Sequence, residues 1–215
     1  MSTTPRGPVT HDALVLAGGR GHRLGSVDKA ALVVGGVRLL DRAMSATLAA
    51  RATVVVGPPR QLPPRVLQTC EEPPHSGTVA AVSAGLRRLA LGRTPSPWTL
   101  VLACDLPRAD QAVVRLLKKS RTPEPSVDAF ALIGTDGRPM PLFALYRTPS
   151  LAAAMGALDA TTATSAGDAP TMEQVLAHLE VTSIRIDPAL VEGVDTWEQA
   201  RDWDRQLTAP QPETD

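Results

Sequence analysis

Short apolar, β-branched runs recur along the chain, each closed by Gly or Pro and followed by a stretch with helical spacing. The first, Ala13-Leu14-Val15-Leu16-Ala17, is apolar at every position, as a strand buried on both faces of a parallel sheet is. Residues 53–56, 99–103 and 129–133 repeat the pattern, and 142–146 reads as a further strand. Residues 181–186 alternate in polarity, which marks an edge strand. Between the strands, residues 39–50 put Leu40, Ala43, Met44, Thr47 and Leu48 on one helical face. Residues 79–91 predict a helix ending at Gly92 as its C-cap. Residues 110–119 predict another, with Val113, Val114, Leu116 and Leu117 inside. Its last turn carries Lys118 and Lys119, where cations suit the dipole. Residues 150–158, 172–179 and 196–207 complete the helices.

Strand and helix alternate, which implies an α/β fold: a mostly parallel sheet with helices on both faces. We read one domain over residues 11–207, with a flexible segment at 1–10 and a flexible tail at 208–215. Residues 93–97 and 122–126 read as proline-rich surface loops. A chain of 215 residues that is 43% hydrophobic has enough apolar surface for a real core and is not disordered. Aromatics make up only 3%, so that core must be built from Ala, Val and Leu. Lys plus Arg and Asp plus Glu each number 22, a balance that argues against nucleic acid and anionic membrane as partners. No apolar run approaches the ~20 residues needed to cross a bilayer, and residues 13–17 are too short for a signal peptide. A cytoplasmic protein is expected. Cys70 and Cys104 are too few for a disulfide scaffold or a four-thiolate zinc site.

In such sheets ligands bind beyond the carboxyl ends of the strands, which draws attention to the loop after the first. It reads Gly18-Gly19-Arg20-Gly21-His22-Arg23-Leu24-Gly25-Ser26-Val27-Asp28-Lys29. Glycines let backbone N–H groups turn toward an anion, and Arg20, Arg23 and Lys29 add cations that require a negative partner. A phosphate chain fits. The spacing is not the dinucleotide fingerprint, because Leu24 stands at its third glycine. Nor is it a P-loop, because Lys29 follows Asp28 and precedes Ala30. The plainer alternative is a flexible surface loop; its place directly after the first strand favours the cradle.

The pattern Leu16-Ala17-Gly18-Gly19-x-Gly-x-Arg23-Leu24-Gly25-x-x-Asp28-Lys29 resembles the opening signature of the molybdenum cofactor guanylyltransferase-like nucleotidyltransferases. The likeness continues through Leu39-Leu40-Asp41-Arg42, Glu71-Glu72-Pro73-Pro74-x-x-Gly77 and Ala103-Cys104-Asp105-Leu106-Pro107. It closes with Pro141-Leu142-Phe143-Ala144-Leu145-Tyr146-Arg147 and Val194-Asp195-Thr196. The resemblance implies a single-domain, Rossmann-like fold of the nucleotide-diphospho-sugar transferase type. It implies transfer of GMP from GTP onto molybdopterin carrying molybdenum, with release of pyrophosphate. Arg23, Lys29 and Asp105 would be catalytic. Leu16, Ala17, Gly18, Gly19, Arg20, Gly21, Lys29, Glu71 and Gly77 would bind the nucleotide, and Asp105 and Asp195 would hold Mg2+. Partners implied are GTP, with CTP as the alternative donor, the molybdenum cofactor, and other proteins of cofactor biosynthesis or molybdoenzyme maturation. Some positions depart from the pattern. Gly77-Thr78-Val79-Ala80-Ala81 replaces Gly-Pro-Leu-Ala-Gly, Asp195-Thr196-Trp197 replaces Asn-Thr-Pro, and Gly193 stands where relatives often carry Asn. Another phosphorylated acceptor, such as a sugar phosphate, and a nucleotide-binding module without turnover remain as alternatives.

Read by chemistry alone, the acidic residues keep two roles each. Asp105 directly follows the third apolar run and could hold a cation or cap a helix opening at Pro107. Asp195 could be a metal ligand or the N-cap of the last helix. The resemblance, not chemistry alone, puts Glu71 and Glu72 in the segment that helps to bind the purine; a carboxylate can accept paired N–H bonds from guanine that cytosine does not offer, and Glu71 is our choice for this, with Glu72 a solvated loop charge. His22 could touch a phosphate, whereas His11, His75 and His178 have no metal-ligand spacing. Cys104 reads as a small buried residue beside the site. The polar loop 161–171 is a candidate to close over the acceptor. A phosphate nucleophile, with its second pKa near ~6, is already largely a dianion at neutral pH, so no general base is required.

Overall fold

The apolar runs become strands because each sends alternate residues to opposite faces of one sheet, both of them covered. The computed structural model describes residues 9–21, 24–25, 27–121, 124–162 and 169–209. The main sheet consists of β1 (His11–Leu16), β2 (Thr53–Val56), β3 (Leu67–Thr69) and β4 (Trp98–Ala103). It continues with β5 (Ala129–Ile133), β6 (Pro139–Arg147) and β7 (Val181–Ile184). The spatial order is β3-β2-β1-β4-β6-β5-β7. Within this sheet β6 runs antiparallel to its neighbours, and the other pairings are parallel.

The helices are α1 (Leu39–Ala46), α2 (Thr78–Ala90), α3 (Ala109–Lys119), α4 (Thr148–Thr162), α5 (Met172–Ala177) and α6 (Trp197–Thr208). Strand β4 illustrates the layering. Leu100 and Leu102 pack against Ala109, Ala112 and Leu116 of α3, while Val101 between them faces Val82 of α2 and Leu151 and Met155 of α4. Helix α2 lies very close to the sheet: a Cβ on Gly85 would fall 2.8 Å from Leu14 Cδ2. That contact is why glycine sits in the middle of a helix at a cost in propensity.

Several expectations change. Strand β3 is too short and too mixed in polarity, Leu67-Gln68-Thr69, to stand out as a run; it is the half-buried edge opposite β7. Helix α1 stops at Ala46, and Thr47 folds its hydroxyl back onto the Met44 carbonyl at 2.8 Å. Leu48 therefore falls outside the helix and is exposed, as is Val114 on α3. Helix α3 opens at Ala109 rather than at Pro107. The segment expected as a surface loop at 93–97 is anchored: Arg93 reaches Asp12 at 2.8 Å and Ser96 is buried. Of the expected flexible ends, residues 1–8 and 210–215 lie outside the described residues, and Thr208 is the last residue of α6. Among the described residues, no helix is long and apolar enough to cross a membrane.

Candidate active site

A cleft of about 330 Å³ opens beyond the carboxyl ends of β1, β2 and β4, where a parallel sheet places its ligands. Leu16, Gly18 and Gly19 come to it from the end of β1, and Val56 from β2. Glu71 and His75 follow β3, Gly77 and Thr78 open α2, and Cys104 and Asp105 follow β4. Lys29 completes the wall. Residues separated by most of the chain thus meet because four elements end at one edge.

Gly18 and Gly19 line the cleft as expected, but neither adopts a left-handed φ. The steric demand falls across from them, on Gly57. Its φ is 151°, and a Cβ there would lie 2.8 Å from the Ala17 carbonyl carbon. Ala17 is behind the wall rather than on it, its amide donating to Val56 O at 2.8 Å. Its carbonyl accepts from Arg60 Nη2 at 2.9 Å. Arg60 Nη1 also donates to Asp28 Oδ2 at 2.9 Å, so one guanidinium fixes both ends of the glycine loop. Asp28 in turn caps the short 3-10 turn Lys29–Ala31, its Oδ1 accepting from Ala30 N at 3.1 Å. This chain of contacts sets where Lys29 starts. Arg20 and Gly21 pair with Val27–Asp28 as a short hairpin. Arg23 and His22 lie outside the described residues, as does the Arg20 side chain.

Lys29 Nζ lies 3.5 Å from Asp105 Oδ2 and 2.6 Å from Asp195 Oδ1. The Lys29 side chain is 13% accessible, that of Asp105 33% and that of Asp195 55%. Asp195 is brought there by the Val194 amide, which donates to the Asp105 carbonyl at 3.0 Å. Burial pushes the Asp105 carboxyl above the usual carboxylate range; Lys29 pulls it down and Asp195 pushes it up. Burial works against the Lys29 ammonium, but the two carboxylates outweigh it and hold its pKa above the ordinary lysine value. Next to them Cys104 is buried, and burial followed by the Asp105 charge lifts its thiol to about 12.

The helix-cap readings of both aspartates fail. Helix α3 has Arg108 at its N-cap with no side-chain cap. Helix α6 is capped by Thr196, which accepts from Gln199 N while the Gln199 side chain returns to the Thr196 amide. Asp195 is left with its carboxylate free to meet Lys29. Between the two glutamates, Glu71 is buried at the cleft and Glu72 is exposed. Glu71 also holds its own loop: Oε1 accepts from His75 N at 2.9 Å, and Oε2 from Cys70 Sγ at 3.5 Å. The first residue of α2 follows Gly77 (φ 100°), which offers no side-chain cap, so amide donors at the helix start stay without a side-chain acceptor.

A second cleft of about 340 Å³ shares Ala103, Asp105 and Leu142 with the first and adds Arg138, Met140 and Glu173. Asp105 stands on the wall between the two. Of loop 161–171, residues 163–168 lie outside the described residues. Ala169 approaches Gly77, on the first cleft, at 3.6 Å from where a Cβ there would stand.

Arg60, Gly57 and His75 are the site residues that sequence reasoning missed. Gly57 carried a readable signal, a glycine ending a buried strand; Arg60 and His75 carried none beyond residue type.

Six parallel strands with one antiparallel insertion, and a cleft over the central strands, define a nucleotide-diphospho-sugar transferase-like α/β protein. The solved structures agree on the fold. Molybdopterin-guanine dinucleotide biosynthesis protein A from Archaeoglobus fulgidus superposes with a TM-score of 0.65 at 16% identity, over 92% of this chain and 98% of that one. The 2-C-methyl-D-erythritol 4-phosphate cytidylyltransferase of Thermus thermophilus gives 0.61 at 20% identity, over 94% and 100%. The chain belongs to the MobA-like NTP transferase domain family, whose model matches residues 13–181. It is 39% identical over 98 residues to a probable molybdenum cofactor guanylyltransferase of Trichormus variabilis, covering 45% of this chain and 46% of the relative. It is 30% identical over 145 residues to the molybdenum cofactor guanylyltransferase of Rhodopseudomonas palustris, covering 65% and 66%. The matched stretches therefore span about half to two thirds of these relatives.

Proposed function

We propose that this chain transfers GMP from GTP to a terminal phosphate on molybdopterin carrying molybdenum, releasing pyrophosphate. The observation that carries the reading is Lys29 within 3.5 Å of Asp105 and 2.6 Å of Asp195, at a cleft lined by Gly18 and Gly19. A phosphate oxygen of the acceptor attacks the α-phosphorus of GTP. A new P–O–P bond forms as the bond to the β-phosphate oxygen breaks, and pyrophosphate leaves with that electron pair. The nucleophile is already a dianion near neutral pH, so the chain needs no base–orienter pair. The barrier is electrostatic: two anions approach and charge builds on the leaving group. Lys29 and the amides of the glycine loop supply positive potential from one side of the cleft, and Arg23 is assigned the same work. The second cleft, across Asp105, is assigned to the acceptor, which would bring both substrates to one carboxylate.

Asp105 and Asp195 would hold Mg2+, an ion usually bound through one or two carboxylates plus substrate phosphates and water. Among the described residues no group of three or more acidic, His or Cys side chains gathers into a metal site. A donor set completed by the nucleotide fits that pattern. When bound, the ion supplies charge neutralisation at the phosphate oxygens. Guanine is favoured over cytosine by the buried Glu71 at the cleft and by the names of the curated relatives. The test is pyrophosphate release from GTP, CTP and ATP, each with magnesium and molybdenum-loaded molybdopterin. Release from GTP that needs both magnesium and the acceptor is the expected outcome. Nucleotide binding without release would make the chain a binding module, and release only with a sugar phosphate would change the acceptor.

A further inference from the structure

His75 combines three features that its residue type alone does not explain. Its backbone has φ 68°, a left-handed conformation that few non-glycine residues adopt. Its amide donates to Glu71 Oε1 at 2.9 Å, and Glu71 is itself 7% accessible. Its side chain is exposed and lines the cleft. A strained backbone persists where the surroundings over-determine it, and such positions cluster at ligand clamps. Here the buried carboxylate does the determining, because it anchors the turn that aims His75.

The position within the cleft is informative. Glu71, His75 and Gly77 come to the cleft from β3 and α2, whereas Cys104 and Asp105 follow β4 and Lys29 is paired with Asp105. The first group carries no cation, so it suits the uncharged end of a nucleotide. Nearby Leu16, Val56 and Ala81 are aliphatic, and His75 is the sole ring-bearing side chain lining this cleft among the described residues. A nucleobase needs a partner for its edge and a cover for its face. Stacking on a ring serves any base, since every base has a π face, while edge contacts select among them.

We propose that His75 is a base-clamping residue: its imidazole stacks on the face of the bound nucleobase while Glu71, fixed to the same turn, meets the base edge. The inference rests on the nucleotide-binding reading above. It makes the two functions separable, with His75 supporting affinity for any base and Glu71 choosing guanine.

The experiment is calorimetric titration of the full chain with GTP, CTP and inorganic tripolyphosphate, all with magnesium, for wild type, His75→Asn and His75→Gly. Asn and Gly tolerate a left-handed φ better than other residues, so both variants keep the turn and remove the ring. Each should bind GTP and CTP about tenfold more weakly and tripolyphosphate as wild type does. His75→Gly binding GTP as tightly as wild type would show that position 75 serves the turn alone and overturn the proposal. An equal loss for tripolyphosphate and GTP would also overturn it, because the whole cleft would then have moved. Wild type binding tripolyphosphate but no nucleotide would instead sink the nucleotide reading beneath it.

Discussion

Two carboxylate–cation clusters lie at opposite ends of β1 and β4, built from the same chemistry and used differently. At the amino end, Asp12 is fully buried, and Arg93 grips it with both terminal nitrogens at 2.8 and 3.0 Å. The Ser96 amide adds a third bond at 2.7 Å. Both charges there have their partner. At the carboxyl end, one ammonium serves two carboxylates, and both remain partly accessible. Among the described residues the charge left over there is negative, and Asp105 faces a cleft that a ligand can enter. A saturated pair fixes a loop; an unsaturated one is prepared to receive a cation and phosphates. The contrast separates structure from function without appeal to residue type, since Asp and a basic side chain make both.

The largest expected effect falls on the saturated cluster and is one of stability. Arg93→Ala strands the Asp12 carboxylate without its charge partner, and removing one member of a buried pair costs about 3–5 kcal/mol. For a chain of this length that lowers Tm on the order of 10 °C. Thermal melts check it, alongside pyrophosphate release measured well below the melt, where turnover per folded molecule should equal wild type. A variant that melts normally but loses turnover would erase the distinction between the two ends.

The mirror-image outcome is expected at the cleft. Lys29→Ala or Asp105→Ala removes a contact made to charge that develops during reaction, and losses of this kind run to about 10²–10³ in rate. Stability should fall by less than in Arg93→Ala, because Asp105 and Asp195 still meet water at 33% and 55% side-chain exposure, and Lys29 keeps Asp195 as a partner when Asp105 is removed. Steady-state rates and melts on the same preparations decide it. Near-normal turnover in both variants would remove these residues from the chemistry.

How far the sequence disclosed the molecule follows the same division. The glycine loop, Lys29 and Asp105 were readable because each follows the end of β1 or β4 in the chain, and a parallel sheet fixes where strand ends go. The Asp12–Arg93 pair was not, since its partners are far apart in the chain and no local pattern links them. Arg60 was missed for the same reason: its targets, Ala17 and Asp28, belong to a loop that closes on it only in the folded state. The strain at His75 was invisible because it comes from a bond to Glu71 across a turn, not from a residue type that announces it. The cap of α6, by contrast, was legible and overlooked. Thr196 followed three residues later by Gln199 is a capping-box pattern, and it already favoured Thr196 over Asp195.

That cap supplies the smallest expected effect and the sharpest comparison, because the two adjacent residues are predicted to fail in different ways. Thr196→Ala removes the side-chain acceptor for Gln199 N and should cost about 1 kcal/mol, or roughly 2–4 °C in Tm. Asp195→Ala leaves the cap in place. Its pair with Lys29 is more than half exposed on the acid side, and pairs of that kind contribute about 0–1 kcal/mol, so Tm should hardly change. If Asp195 helps to hold magnesium, however, the variant should need more of the ion to reach half its maximal rate, whereas Thr196→Ala should show the wild-type magnesium dependence. Melting curves and magnesium titrations of the two variants side by side give four readings. An Asp195→Ala protein that loses stability but keeps its magnesium response would return that aspartate to the helix and leave Asp105 as the lone acidic ligand.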